Sequence, residues 1–229
     1  MNSSLNLIWT RTQNVIGFVL MIVFLAYPFP RLVFISIAAW ILISTTVTAI
    51  LLKTTFTIAN TVTISRAYGL VIFSFLLAYN QSVTNLSIFI LGICLMADFF
   101  DGYLARIFTT SSAGKVLDGE TDQQFVLVAA STAFIFLDIS FWVLLFPSMK
   151  YIFETCYDLF RLKVNEKEGK KRRKIIAAIV MIILFINLAF IEEESSIFFY
   201  LIGLLALSYS FLTDLIRALK SQLKNNHVS

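Results

Sequence analysis

Residues 98–122 read DFFDGYLARIFTTSSAGKVLDGETD, a charged and glycine-containing stretch inside a chain that is otherwise mostly apolar. Its paired carboxylates are Asp98, Asp101, Asp118 and Asp122. The first pair follows the apolar run 87–96, and the second pair precedes the apolar run that starts at Phe125. A carboxylate at such a depth costs at least a few kcal/mol unless it is paired, hydrated or bound to metal. Two matched pairs therefore predict a shared partner, and a divalent cation is the simplest candidate.

The spacing within each pair supports a joint site. Aspartates three or four positions apart share one face of a helix, so two neighbouring helices could direct all four carboxylates into one volume. Mg²⁺ and Mn²⁺ prefer such oxygen ligands and often bind phosphate oxygens as well. Gly102 and Ala105 leave room for a ligand, and Arg106 suits bidentate contact with a phosphate. The stretch therefore predicts a metal-assisted phosphate site.

The order of these residues resembles a family signature, that of the CDP-alcohol phosphatidyltransferases. The pattern is D-x-x-D-G-x-x-A-R followed by G-x-x-x-D-x-x-x-D, and it is filled here by Asp98, Asp101, Gly102, Ala105, Arg106, Gly114, Asp118 and Asp122. The segment between Arg106 and Gly114 is one residue shorter than is usual in the family, in a predicted loop where length is well tolerated. This difference affects the alignment of Ser111 and Ser112. Carboxylates that merely cap helix ends at a membrane surface are the alternative interpretation.

The resemblance implies an enzyme that transfers a substituted phosphoryl group, and a phosphatidyl group above all. The donor would be a CDP-linked lipid such as CDP-diacylglycerol, the acceptor an alcohol, and the released product CMP. The four aspartates would bind two Mg²⁺ or Mn²⁺ ions, although the residues by themselves indicate only at least one ion. In the family, Asp122 corresponds to the general base that takes the proton of the acceptor hydroxyl.

The resemblance also implies a nucleotide and phosphate site. It would be lined by Gly102, Ala105, Arg106, Ser111, Ser112 and Gly114. A second segment, 57–66, resembles the Pro-Asn-x-x-Thr-x-x-Arg start of the family's first core helix, with Asn60, Thr63 and Arg66 in place and Ala59 instead of the proline. Asn60 and Thr63 are thus candidates to contact the CDP group, or they bond locally at the helix start. Arg66 could instead anchor the chain to lipid headgroups.

Composition predicts an integral membrane protein with an all-α fold. Hydrophobic residues make up 59% of the chain and charged residues 14%, and each membrane span needs about 20 apolar residues. We predict a polytopic bundle of about eight spans: an N-terminal transmembrane hairpin at 1–54, in packing or dimer contact, and a six-helix core at 55–229. The predicted helices cover 14–28, 32–52, 57–78, 85–106, 114–137, 141–161, 175–190 and 196–215.

Several polar or reactive residues carry no chemistry in this interpretation. Cys94 and Cys156 lie inside predicted helices and are interpreted as packing residues. Glu120 points away from Asp118 around the helix and is interpreted as a surface charge. His227 lies in the polar tail and is not expected to be catalytic.

Basic residues set the predicted orientation. With eight spans and a cytoplasmic N-terminus, the basic loop 161–174 and most other basic residues lie inside, and only Arg31 lies clearly outside. The active site would then face the cytoplasm, from the plasma or inner membrane. The basic loop is also expected to contact anionic membrane lipids.

The acceptor is predicted from basic residues at the same side of the membrane. A phosphorylated acceptor needs cations, and the candidates are Lys150, Arg161, Arg172, Arg173 and Arg217. Gly169 and Lys170 loosely resemble a Gly-Lys-x-Lys segment of some family members. These features favour glycerol phosphate or inositol phosphate. Intrahelical pairing of Lys150 with Glu154 is the alternative for that lysine.

Two other function classes are compatible with the sequence. A cation- or proton-coupled transporter also uses intramembrane carboxylates, but the internal repeats or interrupted helices typical of transporters are not found. A membrane scaffold would leave the carboxylates without a role. No feature predicts nucleic-acid binding, and a homodimer is compatible with the sequence.

Overall fold

The chain is a bundle of α-helices. The computed structural model describes residues 3–26, 29–51, 57–107, 112–137, 139–159, 169–190 and 193–226. Within them the α-helices are α1 Ser3–Ala26, α2 Pro30–Leu51, α3 Ile58–Asn80, α4 Asn85–Ile107, α5 Ser112–Phe136, α6 Leu145–Leu159, α7 Lys170–Phe190 and α8 Glu193–Asn226. A short 3₁₀ helix, Phe141–Leu144, precedes α6. No strand occurs among these residues, which confirms the all-α prediction.

The starts of the core helices follow from their local sequence. Thr57 caps α3, because its side chain accepts a hydrogen bond from the Asn60 backbone N–H at 3.2 Å. Before α4, Thr84 and Ser87 bond reciprocally: each backbone N–H donates to the other residue's hydroxyl, at 2.9 and 3.2 Å. These caps place the first turns of both helices close to the predicted positions.

The last two helices are longer than the apolar runs predict. The sequence predicts that α7 begins at residue 175 after a charged loop, but it begins at Lys170 and includes the basic residues. Gly169 precedes it with φ +75, a left-handed conformation that glycine adopts without strain. Ion pairs to Asp214 compensate the charges of its first turn. α8 includes Glu193 and continues to Asn226, well beyond the predicted end of the apolar run.

Within the described ranges, four helices are long and apolar enough to cross a membrane, and the chain is an integral membrane protein. They are Pro30–Ile50, Ile58–Asn80, Lys171–Phe190 and Ile197–Leu219. Shorter apolar helical stretches lie at Arg11–Val23, Asn85–Phe100 and Phe141–Phe153. Large apolar side chains are exposed along the outer faces, as for Phe89 and Leu205, which suits contact with lipid rather than water. The count of about eight spans stays a prediction.

Helix α3 lies at the centre of the part of the bundle that carries the motif. It packs against α2, α4 and α5, while α7 packs against α4, α5 and α8. Among the described residues α1 packs mainly against α6, so the two N-terminal helices are joined to the core more than to each other. α3 therefore faces both motif helices at once.

Glu120 is the polar link between the N-terminal helices and α5. Its Oε2 accepts hydrogen bonds from Gln13 Nε2 and Thr48 Oγ1, both at 2.8 Å. Gln13 also donates to Ser44 at 2.8 Å, and Trp9 donates to Thr48 at 2.9 Å. The prediction that Glu120 is a surface charge is wrong, because residues far earlier in the chain surround it. The N-terminal helices thus contact α5 between two motif aspartates.

Gly69 permits the close approach of α3 and α4. A Cβ atom at this glycine would lie 2.5 Å from Cys94 Sγ. The Cys94 thiol is buried and lies 3.7 Å from the carbonyl oxygen of Arg66. The predicted packing role of Cys94 is therefore consistent with its surroundings, and small residues at this crossing bring the two backbones together.

We expect Gly69→Ala to destabilise the bundle. The added methyl group must displace the Cys94 sulfur or separate α3 from α4, and overpacking of this kind costs about 1–3 kcal/mol. Thermal unfolding in detergent should therefore show a lower midpoint.

The matched control is Gly119→Ala on α5, where the added methyl group would meet no described atom within 4 Å. An alanine in a helix interior is favoured over glycine by about 0.5–1 kcal/mol, so this variant should be as stable as the parent or more so. Cys94→Ala in the Gly69→Ala background should recover part of the loss. Equal melting points for the two alanine variants would contradict the packing argument.

Candidate metal and phosphate site

Three helices supply one cluster of charged side chains. α3 contributes Arg66, α4 contributes Asp98, and α5 contributes Asp118 and Asp122. One carboxylate oxygen from each aspartate lies within 4.8 Å of the others. The two motif helices therefore meet at the faces that the spacing of the aspartates predicts.

Arg66 connects all three carboxylates. Its Nη1 lies 2.8 Å from Asp98 Oδ1 and 3.3 Å from Asp118 Oδ1, and its Nη2 lies 2.8 Å from Asp122 Oδ1. The Arg66 side chain is only 1% exposed. The interpretation of Arg66 as a lipid-headgroup anchor is therefore wrong: the guanidinium is buried inside the protein and held by carboxylates.

The charges of this cluster do not balance by themselves. Two carboxylates about 4.8 Å apart repel each other by roughly 3–4 kcal/mol at an effective dielectric constant of 20. Among the described side chains, one guanidinium beside three carboxylates leaves a formal charge of two negative units, which is the charge that one divalent cation neutralises. The described part of the cluster is therefore compatible with a divalent cation.

The donor set and its geometry fit a hard divalent cation. Mg²⁺ binds oxygens at about 2.0–2.1 Å, so two ligands on opposite sides of the ion are about 4.2 Å apart. The three oxygens already lie within 4.8 Å of one another, so that small carboxylate rotations suffice. The carboxylates of Asp98, Asp118 and Asp122 are 18%, 39% and 31% exposed, so that each is partly accessible to a ligand.

The structure places part of the predicted donor site. Asn60 and Thr63 are buried on α3, and Thr63 lies about one turn before Arg66 on the same side of the helix. The Thr63 hydroxyl donates to the Ala59 carbonyl at 3.2 Å, a local bond of the kind considered as the alternative. Gly114 is buried near the start of α5.

Other predicted site residues lie outside what the structure describes. Ser111 and Arg161 are not among the described residues. Asp101, Gly102, Ala105, Arg106 and Ser112 are described as helical backbone, without their side chains. Their roles as ligands or phosphate contacts stay predictions.

Lys150 lies beside the motif segment of α5. Its Nζ donates to the backbone carbonyl of Gly119 at 3.2 Å, across the contact between α6 and α5. Gly119 follows Asp118 directly, so this ammonium group lies close to the segment that carries the α5 aspartates. The alternative, an ion pair between Lys150 and Glu154, stays a prediction because the Glu154 side chain is not among those that the structure describes.

The other described acceptor candidates gather around one buried carboxylate, that of Asp214 on α8. Arg172 Nη2 is paired with Asp214 Oδ1, and Arg173 Nη1 lies 3.2 Å from Asp214 Oδ2. Arg217 is close to this group, because its Nη1 would lie 3.1 Å from a Cβ atom at Gly169. We call Arg172, Arg173, Arg217 and Asp214 the basic cluster.

The basic cluster keeps unused hydrogen-bond donors. The buried Arg172 Nε has no hydrogen-bond partner among the described residues. Arg217 is exposed and makes no hydrogen bond or ion pair within the described part of the chain. The exposed Arg217 can therefore bind an anion without breaking the ion pairs to Asp214.

Two residues, Asp214 and Arg66, lie in sites that the sequence does not predict for them. Sequence reasoning gives Asp214 no role, although a carboxylate inside an apolar run is itself a signal of a partner. It matches Arg66 to the signature of the first core helix, but nothing local indicates the carboxylate partners of this arginine. Both residues are paired across helices, which a spacing pattern within one helix cannot reveal.

Comparison with known proteins agrees with the geometry. Residues 56–213 match the family model described as CDP-alcohol phosphatidyltransferase, more than half of the chain and all of the described carboxylate cluster. Searches of curated proteins and of solved structures found no match. The match begins close to the predicted boundary at residue 54, and the division into two domains stays a prediction.

Proposed function

We propose that this chain, which belongs to the CDP-alcohol phosphatidyltransferase family, transfers a phosphatidyl group from CDP-diacylglycerol to a phosphorylated alcohol and releases CMP. Membership means a membrane transferase for the substituted phosphate group of a CDP-alcohol. The observation that carries the proposal is the convergence of Asp98, Asp118 and Asp122 on one point beside Arg66. The transporter alternative has no comparable support.

Asp122 is the proposed general base. Its Oδ1 is held by Arg66 at 2.8 Å, and its Oδ2 makes no hydrogen bond within the described part of the chain. A carboxylate fixed through one oxygen keeps the other for the acceptor hydroxyl, whose proton it takes while the hydroxyl oxygen attacks the donor phosphorus. The bond from that phosphorus to the CMP oxygen breaks in the same exchange.

Asp98, Asp101, Asp118 and Asp122 are the residues that would hold Mg²⁺ or Mn²⁺, with two ions as the family expectation. Bound divalent ions supply charge neutralisation at the diphosphate and at the departing CMP. Arg106 is proposed to contact the donor phosphates, and Asn60, Thr63, Gly102, Ala105, Ser111, Ser112 and Gly114 to line the nucleotide pocket.

A groove between α4 and α7 supports a lipid-linked donor. It has a volume of about 630 Å³, and its lining includes Met96, Ala97 and Phe100 from α4 and Phe185 and Phe190 from α7. The groove runs along α4 from Asn85 to Phe100, and one end of it flanks Asp98 in the sequence. An acyl chain in this groove would keep its diphosphate headgroup near the aspartates. A water-soluble CDP-alcohol has no acyl chain to occupy this groove.

The basic cluster supports a phosphorylated acceptor such as glycerol phosphate or inositol phosphate. If successive helices alternate in direction through the membrane, the start of α3, the end of α4 and the start of α5 share a side with the start of α7 and the end of α8. The basic cluster and the aspartates then face the same compartment. The balance of basic residues makes that compartment the cytoplasm. A homodimer remains a compatible assembly.

We expect Asp122→Asn to abolish CMP release. The amide cannot take the acceptor proton, and loss of a general base typically costs 10²–10⁴-fold in rate. The measurement is release of labelled CMP from CDP-diacylglycerol in detergent, with equal amounts of folded protein.

Glu120→Gln is the matched control, a carboxylate on the same helix that contacts the N-terminal helices instead of the cluster. It should retain CMP release within a few-fold. Full activity of the Asp122→Asn protein would refute the proposed base.

We expect Mg²⁺ or Mn²⁺ to stabilise the folded protein. An ion that binds only the native state adds about 2.7 kcal/mol at a concentration 100 times its Kd, so the melting temperature should rise with the ion concentration. Asp118→Asn removes one carboxylate of the cluster and should shrink this rise. A wild-type melting temperature that stays constant up to millimolar ion, even in the presence of CDP, would argue against the metal site.

We expect Arg217→Gln to weaken use of a phosphorylated acceptor. Because Arg217 is unpaired within the described residues, its loss should leave the Asp214 ion pairs intact and raise the KM for the acceptor about 10-fold or more. The KM for CDP-diacylglycerol should not change. A screen of glycerol phosphate, inositol phosphate, inositol and serine, read as lipid product, identifies the acceptor, and a preference for inositol or serine would contradict the proposal.

A further inference from the structure

Arg66 occupies the position from which a cation holds the aspartates together. Its two Nη atoms contact Asp98, Asp118 and Asp122 at 2.8–3.3 Å. Its side chain is 1% exposed, whereas the three carboxylates are each partly exposed. The chain thus carries its own counter-ion at the point where a divalent cation would bind.

This counter-ion cannot simply leave when another cation arrives. Arg66 stands on α3 among buried residues, and its Nε is a buried donor without a hydrogen-bond partner among the described residues. A guanidinium that loses its carboxylates there would be a buried charge without a partner, which is strongly unfavourable. It must retain part of its contacts or gain another anion.

We propose that Arg66 competes with the divalent cation for the three aspartates and so couples cation binding to donor binding. This inference rests on the proposed function. In the absence of donor, Arg66 holds the carboxylates and weakens cation binding. When the donor binds, its diphosphate offers Arg66 a second anionic partner, so that Arg66 keeps Asp122 and makes Asp98 and Asp118 available to the cation. Affinity for the cation and affinity for the nucleotide then rise together, as reciprocal coupling requires.

The coupling gives Arg66 a positioning role rather than a part in the chemistry. The empty enzyme therefore binds the cation weakly, and tight binding requires the nucleotide. Before the nucleotide binds, Arg66 keeps the aspartates of α4 and α5 within 4.8 Å of one another, so the site needs little rearrangement when both ligands arrive.

The test measures the binding of Mn²⁺ to the full-length protein, with and without CDP. The electron paramagnetic resonance signal of free Mn²⁺ reports how much of the ion is bound. We expect Arg66→Gln to bind Mn²⁺ alone about tenfold more tightly than the wild type, because the competing charge is gone. CDP should strengthen Mn²⁺ binding to the wild type and do so less for the variant. Without metal the variant should melt at a lower temperature, because its carboxylates repel one another.

Arg31→Gln is the matched control, since Arg31 lies at the start of α2 and donates to the Ala78 carbonyl at 3.4 Å, away from the aspartates. It should bind Mn²⁺ as the wild type does. If Arg66→Gln fails to fold, Arg66→Lys decides: its single ammonium cannot contact three carboxylates as the fork does, so Mn²⁺ binding should again tighten.

Unchanged or weaker Mn²⁺ binding by the folded Arg66 variant would overturn the inference. Wild-type CMP release in that case would leave the proposed function intact. Absence of Mn²⁺ binding from every protein, together with absence of CMP release, would overturn both.

Discussion

The ion pairs between Arg66 and the three aspartates are the constraint on which the site depends. Carboxylates from α4 and α5 lie within 4.8 Å of one another and repel, and a shared cation, the Arg66 guanidinium, offsets this repulsion. α3 supplies that cation from the buried side, which is why it has to lie between the two motif helices. The close crossing at Gly69 brings α3 near enough to α4 for this contact. Packing and electrostatics therefore specify the same arrangement.

The N-terminal helices extend this arrangement outside the family match. In a membrane, apolar surfaces give helices little reason to associate, and interhelical hydrogen bonds and close packing give them specific partners. Gln13 and Thr48 provide such bonds to Glu120, which lies between Asp118 and Asp122 on α5. The two helices thus support the motif helix from the face opposite its aspartates.

Charge separates the two halves of the proposed reaction site. The carboxylate cluster has excess negative charge and suits metal ions with a diphosphate, while the basic cluster has excess positive charge and suits a phosphorylated acceptor. Each contains one residue of opposite sign, Arg66 in the first and Asp214 in the second, that holds the others in place. Separate cationic sites for the two substrates suit an enzyme that brings two anions together. Two phosphate groups repel each other in water, and they repel more strongly near lipid.

Composition and spacing along the chain are sufficient to predict the helical class, the membrane location, the family and the pairs of aspartates, because all of these are local properties. They also indicate where α3 and α4 begin, since capping residues act on their own first turn. The packing of the helices is needed to establish that Arg66 joins the aspartates, that Glu120 is enclosed by α1 and α2, and that Asp214 holds the first turn of α7. Arg66 and its partners on α5 are 52 and 56 positions apart. Such pairs exist because neighbouring helices pack in one particular order, and no pattern within a single helix contains that order.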